Sequence, residues 1–134
     1  MTSNPIVWFE IYVQDLARAK KFYESVLATN LEILDSPDPN MEMLVFPMQK
    51  DGAGAGGALV TMHDGPKPGG GTIVYFRSQD CAVEAGRVAS NGGKLVKGKF
   101  AIGKHGHIAL ASDPDGNTIG FHSAPNSWSQ STPD

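Results

Sequence analysis

The segment Ile6–Leu27, IVWFEIYVQDLARAKKFYESVL, decides the fold. Its opening, Ile6–Val13, is an apolar run rich in aromatic and β-branched side chains, long enough for a strand and too short for an ordinary helix. Asp15 then supplies a side-chain acceptor for a helix start, and Leu16, Ala19, Phe22, Tyr23, Val26 and Leu27 recur at three- and four-residue spacing as one apolar stripe. The reading is strand β1 followed by helix α1. Beyond it lie three short strand candidates, Leu31–Leu34, Met41–Met48 and Ala58–Met62, punctuated by Ser36–Asn40 and the Gly-rich Asp51–Gly57.

The same order returns after Gly65–Gly71, which has the composition of a linker. Thr72–Ser78 reads as a strand and Asp80–Ser90 as a helix stopped by Asn91-Gly92-Gly93. Lys94–Val96, His107–Ser112 and Thr118–His122 read as strands, the last two joined by the turn sequence Asp113-Pro114-Asp115-Gly116-Asn117. Gln14-Asp15 at the end of the first strand recurs as Gln79-Asp80 at the end of the fifth. The pattern is βαβββ twice, with module one at about 6–63, module two at about 72–123, and a polar tail at 124–134.

A length of 134 residues bounds the chain to one domain, here 1–123, and 40% hydrophobic residues suffice for a packed core. Net charge is −3, from eleven Lys+Arg against fourteen Asp+Glu, with no basic stripe, so neither nucleic acid nor an anionic membrane is an expected partner. The sole cysteine, Cys81, excludes an internal disulfide and fits a reducing compartment. With no apolar stretch of membrane-spanning length, the expected setting is the cytoplasm. Cys81 sits in the first turn of the second helix without an identifiable catalytic partner and reads as structural. Gly52–Gly57 precedes a strand rather than following one and opening a helix, so it reads as a loop and not as a phosphate cradle.

A tandem βαβββ repeat with strand-Asp-helix carrying Phe22-Tyr23, and a late Asp113–Asn117 turn before the final strand, resembles the vicinal oxygen chelate superfamily. Glyoxalase I, extradiol dioxygenases and bleomycin-resistance proteins belong to that group. The resemblance spans Ile6 to Ser123. It implies an α+β fold in which two modules form a curved mixed sheet, one face meeting the helices and the other lining a cleft. It also implies a homodimer and a small-molecule ligand.

Strand alternation assigns residues to these faces. Phe9, Ile11 and Val13 face the helix, leaving Trp8, Glu10 and Tyr12 toward the cleft. In the second module Val74 and Phe76 face the helix, while Ile73, Tyr75 and Arg77 face the cleft. On the last hairpin Ile119, Phe121, Ile108 and Leu110 take the helix side, and Gly120, His122, His107, Ala109 and Ala111 lie opposite.

Metal-dependent members of the superfamily hold a divalent ion through His, Gln or Glu on the first and last strands of each module. Carried onto this chain, those positions are Trp8, Ile73 and Gly120, and no residue from Gly52 to Met62 is His, Asp, Glu, Gln or Cys. The expectation is that no metal or other cofactor is used. The expected ligand contacts are Trp8, Glu10, Tyr12, Tyr75, Arg77, His107 and His122. Two other readings stand beside it. A four-residue turn would pair His107 with His122 across the hairpin as a displaced divalent-metal site, or Glu10 would serve as a carboxylate base, Glu10 and His122 being the catalytic candidates of a lyase, isomerase or dioxygenase. Glu10 and Arg77 suit a structural ion pair as well as a ligand contact.

Overall fold

The computed structural model describes residues 4–36, 38–49, 51–64 and 71–125. The linker expected at Gly65–Gly71 and the tail from Ala124 lie outside these residues, apart from Gly71, Ala124 and Pro125. The elements are β1 (Ile6–Tyr12), α1 (Leu16–Leu27), β2 (Glu32–Leu34), β3 (Met41–Val45), β4 (Gly56–Met62), β5 (Thr72–Ser78), α2 (Cys81–Ala85), β6 (Lys94–Ala101), β7 (His107–Ser112) and β8 (Thr118–Ser123). The fold is α+β, βαβββ written twice. The chain divides into two compact units, one spanning Trp8–Ile73 and the other running from Val74 and including the residues before Trp8.

In the first module the strands run in the order β2-β3-β4-β1, with β1 parallel to β4 and the other pairs antiparallel. Leu31, Leu44 and Leu59 form its core, packed by Ile11, Val13, Leu16, Ala19, Tyr23 and Phe46. The Asp15 carboxylate caps α1 by accepting from the Arg18 amide at 3.0 Å. Glu24 fastens the far end of the helix, its carboxylate accepting from the buried Leu31 amide at 2.8 Å. The apolar stripe of α1 is only partly used. Leu16, Ala19 and Tyr23 meet the sheet, whereas Phe22, Val26 and Leu27 are 57%, 63% and 54% exposed. Phe22 and Val26 lie at the edge of the contact line and Leu27 in the last turn, so the stripe is wider than the surface beneath it.

The second module repeats the scheme as β5-β8-β7-β6, with β5 parallel to β8. Its core under α2 is built from small residues, Cys81, Ala85 and Ala109, with Phe121 against them. Phe76 adds a ring contact to Phe121 at 6.3 Å between centroids. Helix α2 stops at Ala85 instead of reaching Ser90: Gly86, costing about 1 kcal/mol in a helix interior, gives way to a turn and a 3₁₀ segment at Ala89–Asn91. The Gly-rich loop expected at Asp51–Gly57 also shortens, because Gly56 and Gly57 already belong to β4. Strand β6 extends past Val96 to Ala101 with two register shifts.

The face assignment of β7 is inverted relative to the sequence reading. Ala109 pairs with Phe121 and Ala111 with Ile119, so these alanines lie under α2 while Ile108 and Leu110 lie on the opposite face. Ala109 packs with Cys81 and Ala85 of α2, in a space that its methyl group fills. Ala109→Leu is therefore expected to cost about 1–3 kcal/mol by overpacking, measured by urea denaturation. An unchanged midpoint would place Ala109 away from the helix.

Candidate functional site

On β1 the period-two alternation turns Trp8, Glu10 and Tyr12 away from α1, as the sequence reading expects, and it also brings them into side-chain contact. Trp8 Nε1–H donates to Glu10 Oε2 at 3.1 Å, and the Tyr12 hydroxyl donates to Glu10 Oε1 at 2.7 Å. One strand thus orients a carboxylate that is only 7% exposed, with an aromatic donor on each oxygen. Burial, and then the adjacent Glu10 charge, push the Tyr12 hydroxyl far above its ordinary range, so it stays protonated and donating. By register, Gly56, Ala58 and Val60 of β4 share this face, and Met43 lies beside Val60. The face is an apolar floor holding one acidic group.

In the second module Tyr75 is aligned with Gly120 and Arg77 with His122 on the face away from α2. The His122 Nε2–H donates to the His105 carbonyl at 2.8 Å, tying β8 to the 3₁₀ turn Gly103–His105. Burial holds the His122 imidazole below its ordinary value, and the charges of His105 and Arg77 add to the effect against the pull of the carbonyl.

His107 does not join His122. The closing pair of the hairpin is Ser112 with Thr118, so the turn has one residue more than expected; His107 pairs with Ser123, and His122 with Ile108. A one-residue change moves every side chain to the other face. His107 consequently lies on the helix side, where its charge is felt at Asp80, and the hairpin does not present the two imidazoles together. Among the described residues no group of three or more His, Cys, Asp or Glu side chains is placed to hold a metal ion.

Two glycines matter in ways the sequence reading missed. The Tyr75 ring lies where a Cβ on Gly120 would go. In the first module a Cβ on Gly56 would meet Met48 Sδ at 2.5 Å and the Trp8 ring at 3.4 Å. Each glycine is thus a seat for a large side chain, and Gly56 is the β4 residue that stands beside Trp8. The available signal was a Gly on the strand aligned with an aromatic residue, visible once the register is known.

The His122 shift fixes a pH dependence. Between its native value and its ordinary value of 6.5 the unfolded chain takes up a proton that the native protein refuses. This contribution to stability is therefore whole above pH 6.5 and is lost as pH falls. His122→Asn keeps an N–H donor for the His105 carbonyl without the titration. Its urea midpoint is expected to fall less than that of the wild type between about pH 7.5 and about pH 5.

No curated protein matches the chain. Among solved structures, methylmalonyl-CoA epimerase from Mycobacterium tuberculosis is similar at 19% identity and a TM-score of 0.68, covering 97% of this chain and 95% of its own. A hypothetical protein from Bacillus halodurans is similar at 14% identity and a TM-score of 0.70, covering 93% and 97%. A variant of Streptomyces coelicolor methylmalonyl-CoA epimerase in complex with 2-nitronate-propionyl-CoA is similar at 13% identity and a TM-score of 0.65, again covering 93% and 97%. At these identities the likeness is one of fold. The family model for the Glyoxalase/Bleomycin resistance protein/Dioxygenase superfamily matches residues 5–121, and the chain belongs to that superfamily.

Proposed function

We propose that this chain binds a small organic molecule without the divalent ion typical of metal-dependent members of its superfamily. The observation that carries the reading is the seat at Gly120. This last-strand position, where such members place a donor side chain, is a glycine whose Cβ space holds the Tyr75 ring. Trp8 stands at the matching first-strand position of module one and packs against the Gly56 seat. The space given to ligating side chains elsewhere in the superfamily is here given to aromatic surface.

On the first module, Trp8 and Tyr12 offer flat apolar area and Glu10 offers an oriented negative charge. This combination suits a planar ligand bearing an N–H donor or a cationic nitrogen. Tyr75, Arg77 and His122 supply the contacts of the second module. His107, on the helix side, takes no part. A homodimer and a cytoplasmic setting complete the proposal by analogy with the superfamily. A second reading, Glu10 as a proton acceptor in catalysis, draws on the same buried carboxylate. It is tested with methylmalonyl-CoA, the ligand named for one structural relative of 13% identity. Turnover that disappears in Glu10→Gln while binding persists would establish it.

The metal-free reading is tested by dialysing purified protein against zinc, nickel and cobalt salts and measuring metal per chain. No stoichiometric ion is expected. One ion per chain retained through dialysis would overturn the reading. Gly120→Glu, which reinstates a donor, is expected to lose about 1–3 kcal/mol of stability through collision with Tyr75, read by urea denaturation.

A further inference from the structure

We infer that the far face of the second module, the one turned away from α2, recognises phosphate groups of the ligand through Lys94 and Lys97, and that two β-bulges in β6 exist to put Lys97 there. The inference rests on the ligand-binding reading above and names the chemistry of one part of that ligand.

The register carries the argument. Lys94 is aligned with Ser112 and Leu95 with Ala111. An unbroken ladder would then set Lys97 opposite Ala109, a fully buried residue under α2. Instead the first shift inserts an extra residue at Val96 and brings Lys97 opposite Leu110. The second shift, between Lys97 and Phe100, brings Phe100 opposite Ile108. Two rows result across the four strands, Tyr75-Gly120-Leu110-Lys97 and Arg77-His122-Ile108-Phe100. Residues three apart in sequence, Lys94, Lys97 and Phe100, all come to one face.

Charge on this module is sorted by face. Three of its four described carboxylates accept hydrogen bonds elsewhere, and the fourth, Asp115, stands in the β7–β8 turn. Asp80 caps α2 and bonds Lys99 at 2.9 Å, and Glu84 accepts from the Ser78 hydroxyl at 2.6 Å. Asp113 and Asp115 belong to the β7–β8 turn. The lysine that faces α2, Lys99, has an acid partner. Lys97 on the far face lies instead with its ammonium 3.9 Å from the centroid of the Phe100 ring, an interaction that positions the cation and leaves its charge in place. Lysine offers a compact point charge, which holds phosphate through charge rather than through a planar fork, and a phosphate chain presents more negative charge than a dicarboxylate of similar size. With strands about 4.8 Å apart, the three steps from β5 to β6 set Tyr75 and Lys97 about 14 Å apart, the span of a phosphate ester with an organic body.

The test is calorimetric titration of the full chain with inorganic pyrophosphate in EDTA-containing buffer, with succinate as the dicarboxylate control. Saturable pyrophosphate binding is expected, weakened about tenfold in Lys97→Gln and kept in Lys97→Arg. It is expected to decline as salt rises from about 50 to about 300 mM. Lys99→Gln, altered on the other face, is expected to bind as the wild type does. Deletion of Val96 resets the register and, where the protein folds, is expected to behave like Lys97→Gln. Absence of saturable binding, equal binding by Lys97→Gln, or succinate binding as tightly as pyrophosphate would overturn the inference. A resident metal ion found by dialysis would overturn the metal-free reading and leave these outcomes untouched.

Discussion

The five-residue turn Asp113–Asn117 governs the chemistry of the second module. The Asp113 carboxylate accepts from the amides of Asp115 and Asn117 and from the Asn117 side chain, each at 2.9 Å. Gly116 takes φ +89°, a conformation that a side chain would strain. Together these close the hairpin on the Ser112–Thr118 pair and on no other register. From that single choice follow the alanines under α2 and the separation of His107 from His122. A loop one residue shorter would exchange the two faces.

The first module is legible in the sequence because its signals are local. Ile6–Tyr12 is a strand-length run of aromatic and β-branched residues, and Asp15 marks the helix start without help from distant residues. The second module is legible in outline, since β5 and β7 have the expected bounds. It fails where bulk is equated with burial. On β7 the larger side chains, Ile108 and Leu110, face away from the helix, and the smaller ones lie beneath it. Hydrophobic patterning ranks residues by transfer energy, whereas the space under a five-residue helix selects them by volume. On α1 the error runs the other way, because an apolar stripe was wider than the sheet surface available to it.

The candidate site divides along the same line. Trp8, Glu10 and Tyr12 share one strand and one face, so strand periodicity alone assembles them. The seating of Tyr75 on Gly120 and the redirection of Lys97 depend on which residue of a neighbouring strand stands alongside. A bulge adds one residue to one side of a ladder, and nothing in the composition of Lys94–Ala101 announces it. The far face of the second module is thus written in pairings between strands.

The burial of Cys81 has a practical consequence. The sole cysteine is fully enclosed, and its backbone amide donates to the Ser123 hydroxyl at 2.6 Å, anchoring the first turn of α2 to the last strand. An alkylating reagent can reach the sulfur only when that anchorage opens. The protein therefore carries a built-in chemical clock: the pace of thiol modification reports how often α2 lifts from the sheet, without any label being introduced.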